Sequence, residues 1–487
     1  MTNSNHRLRL PVGLLLVGSL VLCSITFGAA GDLDPSFDAD GKAITDFGKS
    51  DFAEGMVIQR SGKITIVGHD TETDPPRYYR DFVLARYLTD GNLDPAFGGG
   101  RVRTDFGGGS DSASDVVEQP DGKLVVAGWS APGQQLQFAI ARYNDDANLD
   151  STFDGDGKAL VPVGEDGVAN AVALQSDGRI VAAGEASVPG GSDFALVRLT
   201  ATGGLDASFD GDGIVLTDLS GGEDLITSVG MQGNGRIVVA GMALPSRDLL
   251  LARYGSDGRL DASFDGDGKV RTTLPCCAIW PSLAIQSDGK IVLAAGSQLL
   301  RYNSDGSPDS RFGTQGRVDA TSTTIEAVAV QTDGKIVVAG VPRDVAVSGF
   351  SVSRYSPDGA DDPTFNGSLV QISQQDVPLA AVGLQSDRKI VVAGSTGPDA
   401  GHMDFIVLRF LNPAPPAARC RVPNVRRKTL PAARRSIRRA RCTVGKITRK
   451  SSGRVKKGRI MSQSPRAGRS VQVGTKVRLV VSRGPHR

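Results

Sequence analysis

Short apolar runs separated by turn residues recur along most of the chain. Between residues 100 and 144, the runs GRVRTDFG, DVVEQ, LVVAG and FAIARY follow one another, with PDGK between the second and the third. Asp-Gly between apolar runs is a strong hairpin signal. The runs are rich in Val and Ile, and several are apolar on both faces, which is typical of strands buried between packed sheets. No apolar stripe of helical period persists before residue 420. The pattern predicts an all-β fold.

The same unit returns seven times. LDASFDGDG at 205–213 is repeated letter for letter at 260–268. One anchor of the unit is Phe37, Phe97, Phe153, Phe209, Phe264, Phe312 and Phe365, and a second is Gln59, Gln119, Gln175, Gln232, Gln286, Gln331 and Gln385. Four strands per unit and seven units predict a seven-bladed β-propeller of four-stranded blades. A solenoid of stacked hairpins is the alternative, because a period alone does not establish closure of a ring.

A fixed spacing of charges supports closure. The strand that ends each unit carries an Arg, and an Asp follows eight residues later. The pairs are Arg86/Asp94, Arg142/Asp150, Arg198/Asp206, Arg253/Asp261, Arg301/Asp309 and Arg354/Asp362. Asp34 has no Arg before it and Arg409 has no Asp after it, so a closed ring would pair them across the seam. We interpret the pairs as charge-assisted hydrogen bonds that fix the connections between blades. The alternative is that each Arg is a solvated residue at a strand end.

The repeat resembles the delta-sixty repeats of bacterial propellers. The likeness lies in LDPAF (93–97), QPDGKLVVAG (119–128), FAIARYN (138–144) and their counterparts, and it extends over residues 31–411. It implies the propeller fold, and it carries no general catalytic signature. Two units depart from the pattern: the fifth lacks the Asp-Phe before its last strand, and in the seventh Arg388 replaces the hairpin Gly.

The repeated Asp-Gly-Asp-Gly has two interpretations. Asp261, Asp265 and Asp267 could supply oxygen ligands to calcium from a tight turn. However, Lys269-Val270-Arg271 follows where a calcium loop needs another acid. Units two and six replace the motif with Gly98-Gly99-Gly100 and Gly313-Thr314-Gln315. Since all these residues tolerate a left-handed backbone, we favour a turn and expect no cofactor.

The last part of the chain has a different composition. Residues 412–487 hold 23 Lys or Arg and no Asp or Glu, which leaves 32 basic and 53 acidic residues before them. The segment 412–419 is Pro-rich and is predicted to be an extended linker. Beyond it, VPNV (422–425), Gly445, SQSP (462–465) and VGTKVRLVVSRGP (473–485) resemble a PASTA domain. The resemblance covers 420–487 and implies one helix on a three-stranded sheet. We expect the Thr429 side chain to cap this helix, with Leu430, Ala433, Ile437 and Ala440 on its buried side.

PASTA domains are associated with the bacterial cell wall, and some bind peptidoglycan. A tail with only positive charge would favour an anionic wall polymer, and we assign that contact to Arg426, Arg427 and Lys428. A purely structural tail is the alternative. Nucleic acid is not expected, because the tail has no Phe, Tyr or Trp for stacking.

The cysteines and the first thirty residues bear on location. Arg7 and Arg9, the apolar run to Leu22 and Gly28-Ala29-Ala30 predict a secretory signal over 1–30, with no membrane span in the mature chain. Cys23 raises a lipoprotein alternative. In an oxidising compartment, Cys420 and Cys442 are expected to form a disulfide that staples the small domain. Cys276 and Cys277 are adjacent, and we assign them no redox role.

Residues that break the repeat are the candidates for function. His69, Tyr78, Tyr79, Trp129 and His402 are predicted on loops that join the third and fourth strands of their units, on one face of the ring. No His cluster or Ser/His/Asp set indicates a metal centre or a triad. We therefore predict a secreted, wall-associated binding protein with a glycan or protein ligand on the propeller. The alternative is a wall-glycan hydrolase or lyase on the same face.

Overall fold

A computed structural model describes residues 29–485, apart from 49, 72–78, 275–279, 321–322, 344–348, 372–378, 400 and 413–418. Most of the predicted signal segment, Tyr78, the Cys276-Cys277 pair and most of the predicted linker lie outside these residues. The described chain contains 33 strands and one α-helix.

Seven sheets of four antiparallel strands follow the seven sequence units. Each blade is given from the channel outward. The first blade consists of β2 (Ser50–Ile58), β3 (Ile64–Thr71), β4 (Arg80–Tyr87) and β5 (Arg101–Thr104), and the second of β6 (Ser110–Glu118), β7 (Leu124–Ala131), β8 (Gln137–Tyr143) and β9 (Lys158–Val161). The third consists of β10 (Gly167–Leu174), β11 (Ile180–Val188), β12 (Gly191–Leu199) and β13 (Ile214–Thr217), and the fourth of β14 (Glu223–Met231), β15 (Ile237–Leu244), β16 (Leu249–Tyr254) and β17 (Lys269–Thr272). The fifth and sixth are β18 (Ser282–Ile285), β19 (Ile291–Ala295), β20 (Gln298–Tyr302), β21 (Arg317–Asp319); β22 (Thr323–Val330), β23 (Ile336–Pro342), β24 (Gly349–Tyr355), β25 (Ser368–Gln371).

The seventh blade closes the ring. It consists of β26 (Leu379–Leu384), β27 (Ile390–Thr396), β28 (Asp404–Phe410) and, as its outermost strand, β1 (Lys42–Thr45) from the start of the chain. β1 pairs antiparallel with β28, with Lys42 opposite Leu408 and Thr45 opposite Phe405. The seven-bladed propeller is therefore confirmed, and the solenoid alternative is wrong because the first and last strands share one sheet.

The apolar runs bury both faces of each blade. The middle strands are almost entirely buried, so each side of a sheet packs against a neighbouring blade. The anchor Phe of every unit is at most 8% exposed. Apolar layers between successive blades, with no single central core, hold the ring together, as expected for stacked repeats.

A latch of Arg, Asp and Phe is repeated at every join between blades. Nε of each Arg donates to Oδ2 of its Asp at 2.7–2.9 Å, and the guanidinium carbon lies 4.1–4.8 Å from the centre of the anchor Phe ring. Arg409 and Asp34 make the seventh pair, at 2.8 Å across the seam. The solvated-Arg alternative fails, because each of these Arg residues is at most 6% exposed.

The Arg of each latch also donates a hydrogen bond to the next blade. Arg86, for example, donates to the backbone oxygen of Asp145 at 2.7 Å, and Arg409 donates to that of Thr89. A second cation contacts each Asp Oδ2 at 2.6–3.1 Å. Although burial opposes ionisation, hydrogen bonds from Ser36, together with Lys389 and Arg409, lower the pKa of Asp34 to about 2. Hydrogen bonds from Ser208, together with Arg198 and Arg179, lower the pKa of Asp206 below its ordinary value. The latches are ionised, buried and fully paired, the condition under which an internal ion pair is stable.

The Asp-Gly-Asp-Gly segments, and Asp38-Ala39-Asp40-Gly41 in the first unit, are turns. Asp38, Asp154, Asp210 and Asp265 adopt positive φ between 45° and 51°. The second Asp of each motif accepts a hydrogen bond from the backbone two residues ahead, as in Asp267 to Lys269 N at 2.9 Å. Each motif thus consists of residues that tolerate a left-handed backbone conformation and whose side chains accept a hydrogen bond within their own turn.

The C-terminal segment forms a separate small core. β30 (Thr443–Lys450), β33 (Lys476–Ser482) and β31 (Ile460–Ser464) make one sheet, and β29 (Arg419–Arg421) pairs with β32 (Ser470–Gln472). Helix α1 (Leu430–Arg439) buries Ala433 and Ile437 against this core. Thr429 stands at the N-cap but makes no side-chain capping bond, so that detail of the expectation is wrong. The predicted disulfide Cys420–Cys442 is confirmed.

Candidate functional site: the mouth of the channel

The innermost strands surround the channel, and among the described residues a β-bulge is found at the same place in six of them. The bulges fall at Glu54, Ser114, Asn170, Thr227, Glu326 and Ala380. A bulge inserts one unpaired residue and re-aims its side chain. These positions, with Trp280 and Pro281 from the fifth blade, line one cavity of about 540 Å³, which we call the mouth.

Most of the mouth is braced from blade to blade. Asn170 Nδ2 donates to Ile226 O at 2.8 Å, and Thr227 Oγ1 donates to Pro281 O at 2.5 Å. The remaining braces run from backbone N–H groups to side chains of the preceding blade: Val172 to Asp115, Val328 to Ser282, and Leu379 to Glu326. Five successive joins, from blades two and three to blades six and seven, are therefore closed by side chains of the inner strands.

Blade one is held in another way. His69 Nδ1 shares a hydrogen bond of 3.0 Å with Ser112 Oγ of blade two, and Ala53 N donates to Ser395 Oγ of blade seven at 2.8 Å. These contacts do not use the bulge residue Glu54. Within the described residues, no hydrogen bond to the Glu54 carboxylate is found, and His69 Nδ1 lies 3.7 Å from its Oε1. Glu54 is therefore the ionisable bulge side chain left available to a ligand, since Glu326 accepts the Leu379 N–H.

The electrostatics of this corner are unusual. Glu54 is accessible along the channel, with 46% of its side chain exposed, but the surrounding wall displaces much of its hydration. This burial raises the pKa of Glu54 to about 7, against the opposing charge of Arg80. Burial, assisted by Arg80, lowers the pKa of His69 to about 3, so its ring is neutral near pH 7. Glu326 lies around the same mouth, and burial raises its pKa to about 7, against the Leu379 N–H.

Aromatic faces complete the mouth. Trp129 and Trp280, the two tryptophans of the chain, both line the cavity, and Trp280 is 58% exposed. Trp rings beside carboxyl and guanidinium groups combine an apolar stacking surface with directional polar contacts. Such a mouth can hold a small polar ligand with flat apolar faces.

The structure places the predicted site residues unevenly. His69 and Trp129 lie within strands β3 and β7, not on loops, so the predicted loop placement is wrong for both; their apolar neighbours extend the strands past the predicted ends. Both nevertheless line the mouth. Tyr79 is 41% exposed and His402 is exposed with Nδ1 2.7 Å from Asp399 Oδ1, and neither lines the cavity.

Sequence reasoning missed Glu54, Arg80, Trp280 and Glu326 as members of this site. The repeat did carry a signal. In the aligned inner strands the bulge position changes from unit to unit, whereas the latch positions remain Arg, Asp and Phe. The position was overlooked because a bulge shifts the alternation of the strand by one residue, which hides a channel-facing side chain.

The C-terminal domain presents a second charged surface. Arg426, Arg427 and Lys428 are exposed on the turn before α1. Arg427 has φ 63°, and its N donates to Ile460 O at 2.8 Å. Arg438 and Arg439 occupy the last turn of α1. Within the described part of this domain no acidic residue offsets these charges, because residues 412–487 contain none.

Family models match this architecture. One model, described as a domain of unknown function (DUF5122) beta-propeller, matches residues 59–97, 119–153, 175–209, 232–264, 286–312, 331–365 and 385–412. A second, the PASTA domain, matches residues 421–483. The chain is a DUF5122 β-propeller with a C-terminal PASTA domain. Comparison with curated proteins gives no match.

The DUF5122 propeller is also similar in fold to solved structures of low identity. Sqt1 from Chaetomium thermophilum is 13% identical, with 76% of this chain and 98% of that chain covered and a TM-score of 0.43. The α-L-arabinanase of Penicillium chrysogenum, solved with arabinobiose, is 12% identical, with coverage of 78% and 97% and a TM-score of 0.42.

One further finding concerns membranes. Among the described residues, no helix combines the length and apolar character that a membrane span requires.

Proposed function

We propose that this protein is a wall-associated binding protein: its PASTA domain holds it on an anionic wall polymer, and its propeller binds a glycan ligand at the mouth. The observation that carries the proposal is the mouth itself. Glu54, Arg80 and the two tryptophans line one cavity, and no described residue of another blade makes a hydrogen bond or ion pair with the Glu54 carboxylate.

The chemistry of the mouth fits a sugar. Sugar rings present apolar faces that pack on indole rings and hydroxyl groups that hydrogen-bond to carboxyl and guanidinium groups. Glu54 can act as donor or acceptor near neutral pH, because burial raises its pKa to about 7. A wall glycan would also be abundant where a PASTA domain localises the chain.

The PASTA half of the proposal rests on charge. Twenty-three basic residues without an acidic one attract any polyanion, and salt screens exposed charges of this kind. The Arg426–Lys428 turn is the assigned contact because its side chains are exposed.

Sedimentation of the full chain with purified peptidoglycan tests this half. We expect binding that weakens as salt is raised, and that falls when Arg426, Arg427 and Lys428 are replaced by Ala. Arg427→Gly is the informative single change. It removes one charge at φ 63°, a conformation that Gly accepts readily, so binding should fall while the domain remains as stable as before. Binding that is unaffected by all four changes would leave the tail as a structural element only.

A hydrolase is the second candidate, and one observation favours it. Glu54 and Glu326 both line the mouth, and both have a pKa raised to about 7 by burial. Glycosidases use paired carboxyl groups in protonated and ionised forms. Incubation of the full chain with wall glycan, followed by analysis of soluble products, separates the candidates. Intact glycan supports the binding function, whereas products that disappear with Glu54→Gln support hydrolysis.

A further inference from the structure

Three carboxyl groups meet where the propeller closes. Asp46 follows β1, Asp51 lies in the first inner strand β2, and Asp404 begins β28. One oxygen from each lies within 4.8 Å of the others. We call these three residues the seam cluster, since they come from the two ends of the propeller sequence.

Asp51 is the member that requires a partner. It is fully buried, and its Oδ2 accepts a hydrogen bond from Phe47 N at 2.7 Å. Its Oδ1 is buried without any hydrogen-bond partner among the described residues. A buried carboxylate oxygen without a donor is costly, and fully paired buried polar groups are the rule. The missing partner must bring positive charge or a donor into the cluster.

Elsewhere in the ring, the aspartates equivalent to Asp51 and Asp404 obtain their partners in two ways. At the join of blades three and four, Asp224 accepts bonds from Leu219 N and Ser220 N, and the Ser220 hydroxyl donates to its remaining oxygen. At blade four, Asp248, the counterpart of Asp404, is paired with Arg271 at 2.6 Å. Neither device is found among the described residues of the seam cluster, where Ile44 stands at the position of Arg271.

A second cluster, Asp81, Asp105 and Asp111, supplies the closest comparison. Asp111 is also fully buried with an unpartnered Oδ1. Here, however, Arg103 lies beside the cluster: it is paired with Asp70, and its Nε is 3.9 Å from Asp81. Lys158 donates to Asp105 O at 3.2 Å. Arg101 makes the same kind of contact at the seam cluster, where it donates to Asp46 O at 2.6 Å. The difference is Arg103: the described residues around the seam cluster include no counterpart of it, and the exposed His402 is paired with Asp399.

We propose that the seam cluster binds a divalent cation, with calcium as its ligand, through Asp46, Asp51 and Asp404. Three carboxylates supply the hard oxygen ligands that calcium prefers, and backbone carbonyls or water can complete a flexible coordination shell. Because the ligands come from β1, β2 and β28 or their ends, the bound ion would tie the closing strand to the first and last blades.

Thermal unfolding of the full chain with and without calcium tests the site. After treatment with EDTA, added CaCl₂ should raise the melting temperature of the propeller by about 3 °C or more at saturation, and MgCl₂ should raise it less. Asp51→Asn and, as a second variant that is less buried, Asp404→Asn should abolish this rise. In EDTA, Asp51→Asn should be at least as stable as the parent chain, because it removes a buried charge next to other carboxylates.

Two matched variants control for the loss of an aspartate. Asp224→Asn alters the equivalent aspartate, which Ser220 already satisfies, and Asp111→Asn alters the cluster beside Arg103. Both should keep the full calcium response. Equilibrium dialysis should find one calcium ion per parent chain and none on Asp51→Asn. A parent chain that binds no calcium, or a response that survives both Asp51→Asn and Asp404→Asn, would overturn the proposal.

Discussion

The residues at equivalent positions of the repeat are constant on one face of the propeller and variable on the other. On the face where the third strand of each blade ends, Arg, Asp and Phe are repeated at all seven joins with nearly constant distances. On the other face, the bulge residues around the mouth change from blade to blade: Glu54, Ser114, Asn170, Thr227, Glu326 and Ala380. The constant face holds the ring together, and the variable face is where a ligand can be distinguished.

The largest effect should come from breaking one latch. Arg198→Ala leaves Asp206 buried without its Nε donor and removes the bond to Ser256 of the next blade. Loss of one partner of a buried pair costs about 3–5 kcal/mol, here reduced by the remaining contact of Asp206 with Arg179. Denaturant unfolding measures the loss. The control is the exposed Arg259→Ala, which should change the free energy of unfolding by less than about 0.5 kcal/mol.

The seam latch offers a sharper version of the same test. Asp34 and Arg409 are 375 positions apart, so their pairing forms only when the ring closes. A double-mutant cycle with Asp34→Ala and Arg409→Ala should give a coupling free energy of about 0.5–3 kcal/mol. Strictly additive effects of the two changes would mean that the seam pair contributes nothing to closure.

A smaller effect of opposite sign is expected at Arg388, the residue that stands in for a hairpin Gly. Its φ is 77°, a conformation that Gly adopts without strain. Arg388→Gly should stabilise the propeller by about 0.5–1 kcal/mol, less any contribution from its surface pair with Asp333. The mirror control is Gly122→Ala at the same place in the second unit. With φ 89° and no atom near the added Cβ, it should destabilise through backbone strain alone.

The effect on stability that is expected at the mouth depends on pH, and solvent screening reduces it because 46% of the Glu54 side chain is exposed. The folded-state pKa of Glu54 is about 7, above its ordinary value of 4.5. Its contribution to stability is therefore fully present below pH 4.5 and is lost as the pH rises through 7. Glu54→Gln removes this titration, so the variant should gain stability relative to the parent chain across that window. Unfolding curves at pH 4.5, 6 and 8 check it, and a constant difference between the two proteins would contradict the assigned pKa.

The sequence predicts the latch face well and the mouth poorly, for a physical reason. Each latch is built from residues at fixed spacing within one unit, so a period in the sequence reports the contact directly, and even the Asp34–Arg409 pair follows from the two residues left over. The mouth brings one residue from each of several units together across the channel. Its composition cannot be obtained from spacing, and the bulge at Glu54 places this side chain against the simple alternation of a strand.

The same difference in predictability applies to the buried charged groups. Asp206 could be expected to be ionised, because its Arg lies at a constant distance in the sequence. The raised pKa of Glu54 depends on the channel wall that the other blades provide, and the seam cluster depends on ring closure. Neither arrangement exists within a single unit.

The most direct test of the assignment of the two faces is a crystal structure of the full chain soaked with a wall glycan fragment. We expect density for the sugar at the mouth, against Trp129 and Trp280 and within hydrogen-bonding distance of Glu54 or Arg80, and no such density for a Trp280→Ala variant. Sugar density on the latch face, with the mouth unoccupied, would contradict the account.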